Sequence, residues 1–250
     1  MRRIIVRADD LGYSEGVNLG IEKSVRNGIV TSVGLMANME AAQHGVELVE
    51  DLSFCLGLHC NISAGRPLIN PELIPSLVDE NGYFKASKLY READNDFVVY
   101  EEVLLEIQAQ YNRFVELTSH KPCYMDVHAV YSKNFYQAVA DVAKKHGVDY
   151  DLFNLDQPNH FRNTDIYVSM ESTKPDYDPL TAFKQAAIEK YPKHAVGMFI
   201  VHPGYLDAYL LKNSSLLNQR AYELEMLVSQ EVKDWIQDNQ IELISYSDLI

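Results

Sequence analysis

Arg3-Ile4-Ile5-Val6-Arg7-Ala8-Asp9-Asp10-Leu11-Gly12 decides how the rest of the chain is read. Ile4, Ile5, Val6 and Ala8 form a short apolar run rich in β-branched residues, which predicts a buried strand over 3–8. The strand runs into two adjacent carboxylates and a glycine. Helical periodicity then holds from about Ser14 to Asn27, with Gly28 in the helix-stop position. In α/β folds of this kind, chemistry collects where strands end and βα loops begin.

Working outward, the same alternation recurs. Residues 29–36, 54–59, 122–128, 196–201 and 241–245 read as further strands, and 41–50, 100–118, 135–145, 180–190 and 221–238 as helices. The helix over 100–118 is the clearest, because Val103, Leu104, Ile107, Tyr111, Phe114 and Leu117 recur at spacings of three and four. Gly65-Arg66-Pro67 and the prolines at 71 and 75 mark a long loop. Asp79 to Phe84 reads as a tight turn centred on Asn81-Gly82. The polar and aromatic stretch 150–179 follows neither period.

Alternating strands and helices imply a mainly parallel sheet. No glycine-rich phosphate loop follows any strand, which argues against nucleotide-binding versions of such folds. No repeat or linker divides the chain. The expectation is therefore a single α/β domain over 1–250, built as a (β/α) barrel or a distorted TIM-barrel-like relative.

Composition narrows the partners. A net charge of −14 repels phosphate backbones, so nucleic-acid binding is not expected. No apolar run approaches the roughly 18 residues of a membrane span, and Met1–Val6 is too short for a signal peptide. Cys55, Cys60 and Cys123 lack the spacing of a zinc or redox motif. The expectation is a cytoplasmic protein with structural thiols and no membrane partner.

Four of the expected strands end in ionisable residues: Asp9-Asp10, His59, Asp126-Val127-His128 and His202. Each feature alone also occurs as a turn, a helix cap or a packed imidazole; their coincidence at strand ends is what points to a site. Two imidazoles and one carboxylate make a metal site with open positions, so Asp10, His59 and His128 are the expected ligands of one divalent ion. By ligand type they suit zinc. Asp9 would take a proton from water, and His202 could protonate a leaving group. Successive strand residues point to opposite faces, so Asp9 and Asp10 can share a site only if the strand ends there and the chain turns. Tyr13, Tyr131 and Tyr205 each follow a site residue and could line a carbohydrate cleft. Arg66, in the loop after His59, could contact substrate or cap a carboxylate. The remaining histidines, His44, His120, His146, His160 and His194, fall in expected helices, helix ends or loops and read as surface or structural.

These residues also carry a family resemblance. Ala8-Asp9-Asp10-Leu11-Gly12-x-Ser14, with Asn18-x-Gly20-Ile21 and Asn27-Gly28-Ile29-Val30-Thr31-Ser32, resembles the opening motif of the YdjC-like carbohydrate deacetylases. Gly57-Leu58-His59-x-Asn61-Ile62-Ser63-x-Gly65-Arg66-Pro67-Leu68 resembles their second motif, and Lys121-Pro122 through Asp126-x-His128 their third. Val201-His202-Pro203 with Asp207, and Arg220-x-x-Glu223-Leu224, are weaker matches. The resemblance implies a barrel similar to the polysaccharide deacetylases of chitin and peptidoglycan. It also implies a divalent metal, often magnesium, on Asp10, His59 and His128, with Asp9 as the base. Ala129-Val130-Tyr131 stand where the family often has further histidines, which leaves the metal triad intact and bears on substrate choice.

The function expected is an amide hydrolase that removes acetyl from N-acetylated sugars, N-acetylglucosamine di- or oligosaccharides such as diacetylchitobiose. Its partner is a small carbohydrate, and a homo-oligomer is compatible with the sequence. The alternatives are a phosphoester hydrolase on the same metal site or a non-catalytic sugar-binding module. Two adjacent carboxylates favour catalysis, since binding alone needs only one. No strand-end lysine is available for isomerase chemistry.

Overall fold

The computed structural model describes every residue except Phe153, Asp156, Glu189, Lys190, Lys193 and Ile250. Its organising element is β1 (Arg2–Leu11), which is paired along both edges. One edge takes β8 (Val196–Val201) in parallel, from Arg3 opposite Val196 to Ala8 opposite Val201. The other edge is shared: β9 (Ile241–Ile244) pairs with Arg2 to Ile5, and β2 (Ser32–Leu35) pairs with the carboxyl half. Beyond β2 lie β3 (Cys55–Cys60), β4 (Tyr124–Val127) and β5 (Asp149–Tyr150). Beyond β8 lie β7 (Thr164–Ser169) and β6 (Asn159–Phe161). Among the described residues every pairing of named strands is parallel except β6 with β7.

The eight strands from β5 through β1 to β6 curl into a nearly closed barrel, as the βα alternation predicts. Its interior joins both halves of the sheet: Ile5, Tyr124, Ile166, Met198 and Ile244 pack into one cluster with Tyr246. Alternate residues face outward. Ile4, Val6 and Ala8 of β1, Leu56, Leu58 and Cys60 of β3, and Phe199 and Val201 of β8 pack under the helices. Gly57 matters inside the barrel because a Cβ there would lie 2.3 Å from the Tyr124 ring, which stacks on Tyr246 with centroids 3.9 Å apart.

The outer layer comprises α1 (Glu15–Arg26), α2 (Ala42–Val49), α3 (Ser87–Glu92), α4 (Tyr100–Thr118), α5 (Lys133–His146), α6 (Pro179–Ile188), α7 (Ala208–Asn213), α8 (Asn218–Val228) and α9 (Gln230–Asp238). Side chains close the amino ends of several. Ser14, Ser132, Asp207 and Ser229 accept from Val17, Phe135, Leu210 and Val232 N–H. Ser229 corrects the expected helix over 221–238. It is extended (ψ 148°) and caps α9, so the chain forms two helices there. The last two residues of the helix expected over 180–190 lie outside the described residues.

Candidate metal centre

β1 does not end at Asp9-Asp10, as its sequence suggests, but bulges there. The register against β2 slips between Ala8 and Leu11, Asp10 takes the left-handed φ of +78°, and Gly12 follows at +95°. The slip interrupts the alternation of side chains. Asp9 stays on the inward face with Ile5 and Arg7, and Asp10 reaches the same interior.

Asp10 Oδ1 lies 3.2 Å from His128 Nδ1 and 3.6 Å from His59 Nε2, and the two ring nitrogens are 3.1 Å apart. Oδ1 is buried without a hydrogen-bond partner, whereas Oδ2 accepts from Arg220 Nη2 at 2.7 Å. Asp126 Oδ1 sits 2.9 Å from His59 Nδ1. A carboxylate at that nitrogen fixes its proton there and turns the Nε2 lone pair toward the triangle. Three donors held about 2.1 Å from one ion at tetrahedral angles would be roughly 3.4 Å apart. The observed edges bracket that spacing, so the residues present fit a divalent cation.

A second group, Asp9 with His59 and Asp126, is also close enough to share an ion. Arg7 already neutralises it: Nη2 is 2.6 Å from Asp9 Oδ2 and 2.9 Å from Asp126 Oδ2. A cation there would face a guanidinium, which leaves Asp10, His59 and His128 as the better donor set.

Electrostatics follow from burial and these contacts. Burial alone would raise Asp10, but Arg220 and His128 hold it well below the usual carboxylate range. Burial raises Asp9 above its ordinary value, with Arg7 opposing. His59 resists charging through burial, yet Asp126 and Asp9 push it up to about 9. His202 is pushed down to about 3 by burial, and its Nδ1 is buried without a partner, so this imidazole is neutral.

Helix α8 fastens the site from outside. Arg220 reaches Asp10, and its Nη1 lies 3.4 Å from the His202 carbonyl. Glu223, three residues on and on the same face, accepts from His202 N–H at 2.6 Å and from Tyr177 Oη at 2.8 Å. At the barrel axis Tyr246 accepts from Arg7 Nη1 at 3.1 Å and donates to Asp151 Oδ2 at 2.5 Å. Sequence reasoning gave no role to Arg7, Asp126, Arg220 or Glu223. One signal was available: Arg7 and Asp126 stand two residues before Asp9 and His128, the spacing of one strand face.

The other expected residues are more scattered. Tyr13 is buried, donates to the Asn213 carbonyl at 3.0 Å and carries Arg220 over its ring, so it is part of the site's wall. Tyr131 is 71% exposed and lies edge-on to Tyr136. Tyr205 is partly exposed, with Lys23 Nζ 3.1 Å from its hydroxyl. Arg66 is exposed, with its Cζ over the Tyr83 ring 4.0 Å from the centroid. Cys60 adjoins His59 but packs outward.

Over residues 3–238 the sequence matches the model of the YdjC-like protein family. The chain belongs to the YdjC-like family. Among its relatives are carbohydrate deacetylase 2 of Listeria innocua, 33% identical over 99% of this chain and 98% of that one, and a chitooligosaccharide deacetylase of Proteus mirabilis, 31% identical over 99% and 98%. A solved structure described as a putative cellobiose-phosphate cleavage protein from Enterococcus faecalis shares the fold, with a TM-score of 0.82 at 24% identity, covering 98% of each chain. A CE4-family pseudoenzyme from Bacillus anthracis shares the fold more distantly, with a TM-score of 0.52 at 7% identity over 99% of this chain and 65% of that one. No helix among the described residues of this YdjC-like chain is long and apolar enough to cross a membrane.

Proposed function

We propose that this YdjC-like chain is a metal-dependent deacetylase of N-acetylated sugars, with N-acetylglucosamine di- and oligosaccharides such as diacetylchitobiose as its substrate class. One observation carries the reading. The buried, unpartnered Oδ1 of Asp10 faces two imidazole nitrogens, and a second carboxylate with an unpartnered oxygen, Asp9, stands beside them. The names of the relatives agree with it.

Asp10, His59 and His128 would hold the ion. When bound, a divalent cation supplies Lewis acidity at the acetamide oxygen and acidifies a water. Asp9 Oδ1 accepts the proton of the attacking water, while Arg7 on Oδ2 keeps the carboxylate in place. His202 faces the same interior from the end of β8 and is the residue assigned to hand a proton to the departing amine. Because burial keeps it neutral, the proton it passes to the amine is the one Asp9 takes from water, relayed on through His202. Arg66, Tyr131 and Tyr205 are assigned to the sugar, as exposed groups on the βα loops, and Tyr13 supports them from the wall. Donor types suit zinc, and the family suggests magnesium. Residues 1–250 are taken to act as one domain, because Arg220 near the end of the chain completes the surroundings of Asp10 near its start. Two buried and one half-buried free thiol suit a reducing cytoplasm.

The test is acetate and free amine release from a panel of N-acetylated mono- and disaccharides, with zinc, magnesium and chelator arms, beside a panel of sugar phosphoesters. Metal-dependent acetate release supports the proposal. Phosphate release without acetate, or binding without turnover, overturns it.

A further inference from the structure

Helix α4 buries a carboxylate that the chemistry above does not use. Glu106 is fully buried, and among the described residues no cation pairs with it. Its Oε2 accepts from the backbone N–H of Leu68 at 3.1 Å and Ile69 at 3.0 Å, and its Oε1 from Gln110 Nε2 at 2.8 Å. Gln110, one turn further and also buried, grips the start of the same loop. Its Oε1 accepts from Asn61 N–H at 3.0 Å, and its Nε2 donates to the Asn61 carbonyl at 2.6 Å. Burial pushes Glu106 up to about 7. A position that required only packing would be better served by an apolar side chain, because an uncompensated buried carboxylate is costly.

The loop between these anchors is ordered by its own polar groups. Asn61 Oδ1 accepts from Ser63 and Ala64 N–H, Gly65 takes a φ of +72°, and Asn38 Nδ2 donates to the carbonyls of Ala64 and Arg66. This segment begins two residues after His59 and carries one exposed cation, Arg66. Among the described residues no carboxylate pairs with Arg66. Its guanidinium lies on the Tyr83 ring, which leaves its N–H edge free to donate.

We propose that Glu106 is a positioning residue for substrate: from α4 it pins the 61–69 loop so that Arg66, stacked on Tyr83, presents its donors to hydroxyl oxygens of the sugar. This rests on the deacetylase reading and on the assignment of Arg66 to substrate. Glu102, one turn earlier on α4, makes the same kind of bond to Ser76 N–H at 2.7 Å, farther along the loop from Arg66, and so provides an internal control.

The experiment compares Glu106→Gln, Arg66→Ala, their double variant and Glu102→Gln by amide hydrogen exchange and by steady-state kinetics on diacetylchitobiose. Glu106→Gln is expected to speed exchange at Leu68 and Ile69 and to raise KM about tenfold with kcat nearly unchanged, the loss typical of one charge-assisted hydrogen bond. Arg66→Ala should raise KM similarly without faster exchange at those amides. The double variant should be no worse than Arg66→Ala alone, because the two changes act through one contact. Glu102→Gln should leave KM and exchange at 68–69 unchanged. If Glu106→Gln fails to fold, Gln110→Ala releases the same loop and should give the same pattern. Unchanged exchange, full additivity, or a KM insensitive to either Glu106 or Arg66 overturns the proposal. Failure of the wild type to release acetate refutes the deacetylase reading instead. The calorimetric Kd for the disaccharide then replaces KM in the same four-way comparison.

Discussion

Asp10 and Arg220 are 210 positions apart in the chain, and their side chains meet at 2.7 Å with both residues buried. The pair divides the carboxylate: Oδ2 goes to the guanidinium and Oδ1 is left facing the histidines. Asp9, Asp10 and Asp126 are buried together there, with Glu223 and Asp151 buried just beyond them, while among the described residues two guanidiniums, Arg7 and Arg220, are buried beside them. That imbalance is one reason His59 is driven toward its charged form, and it also favours a cation at the triangle.

The two neighbouring aspartates should therefore fail in different ways. Asp9→Asn keeps shape but cannot take a proton, so kcat should fall by roughly 10² or more while metal affinity changes little. Asp10→Asn should weaken metal binding, with partial recovery in excess metal. Metal titration and kcat on both variants check this. Loss of metal in Asp9→Asn with retention in Asp10→Asn would reverse the roles.

His59 and His128 supply the other two donors of the proposed centre. Elemental analysis of wild-type protein should find one divalent ion per chain, and the His59→Ala, His128→Ala double variant should retain essentially none. Full metal content in the double variant would place the ion elsewhere.

How much of this site could be read from the chain depends on distance along it. The strand ends near His59 and His128 and helix α4 are local patterns, and the structure has them where periodicity puts them, whereas the strand expected to end before Asp9-Asp10 runs on to Leu11. The bulge was not legible, because an aspartate at positive φ leaves no mark beyond the glycine two residues on. Arg7 reads as an interruption in an apolar strand until Asp126 and Tyr246 are brought against it, the latter 239 residues away. Strands β5 and β6, at two and three residues, are too short to show a period, and the six-residue β7 (Thr164–Ser169) inside 150–179 also goes unread, although Ile166 and Val168 are buried at alternate positions.

Arg7 offers a stability test of that buried network. Arg7→Met would leave Asp9 and Asp126 as buried carboxylates without their guanidinium. The expected loss is about 3–5 kcal/mol, the range for breaking one side of a buried ion pair. Arg7→Lys should recover only part, since one ammonium cannot reproduce the planar fork that reaches both carboxylates and Tyr246. Urea unfolding of the three proteins measures it. A loss under 1 kcal/mol for Arg7→Met would show that the network is not held by this residue.

Cys60 adjoins His59 in sequence but packs against the outer core, and burial raises its thiol well above the ordinary range. A thiol reagent applied to the native protein should therefore leave turnover intact. Rapid inactivation from which substrate protects would mean that β3 presents Cys60, and not His59, to the interior.

Asp151 gives the pH dependence of folding that the barrel interior predicts. It is buried beneath Tyr246, and burial pushes its carboxyl up to about 6, above the ordinary 3.8. A folded-state value above the unfolded one means that the folded protein binds the proton more tightly. The stability from this group is thus fully present below pH 3.8 and is lost as pH rises through 6. A shift of about two units corresponds to about 3 kcal/mol. Asp151→Asn mimics the protonated acid, and its side-chain oxygen can still accept from Tyr246. The variant should match the wild type near pH 4 and become the more stable of the two by pH 7, with the gap opening between those limits. Other carboxylates titrate over the same range, so the measured quantity is the difference in urea unfolding free energy between the two proteins at each pH. A difference that stays flat from pH 4 to 7 would mean that Asp151 carries its charge in the folded barrel at no cost, and that the Tyr246 and Arg7 contacts compensate fully for its burial.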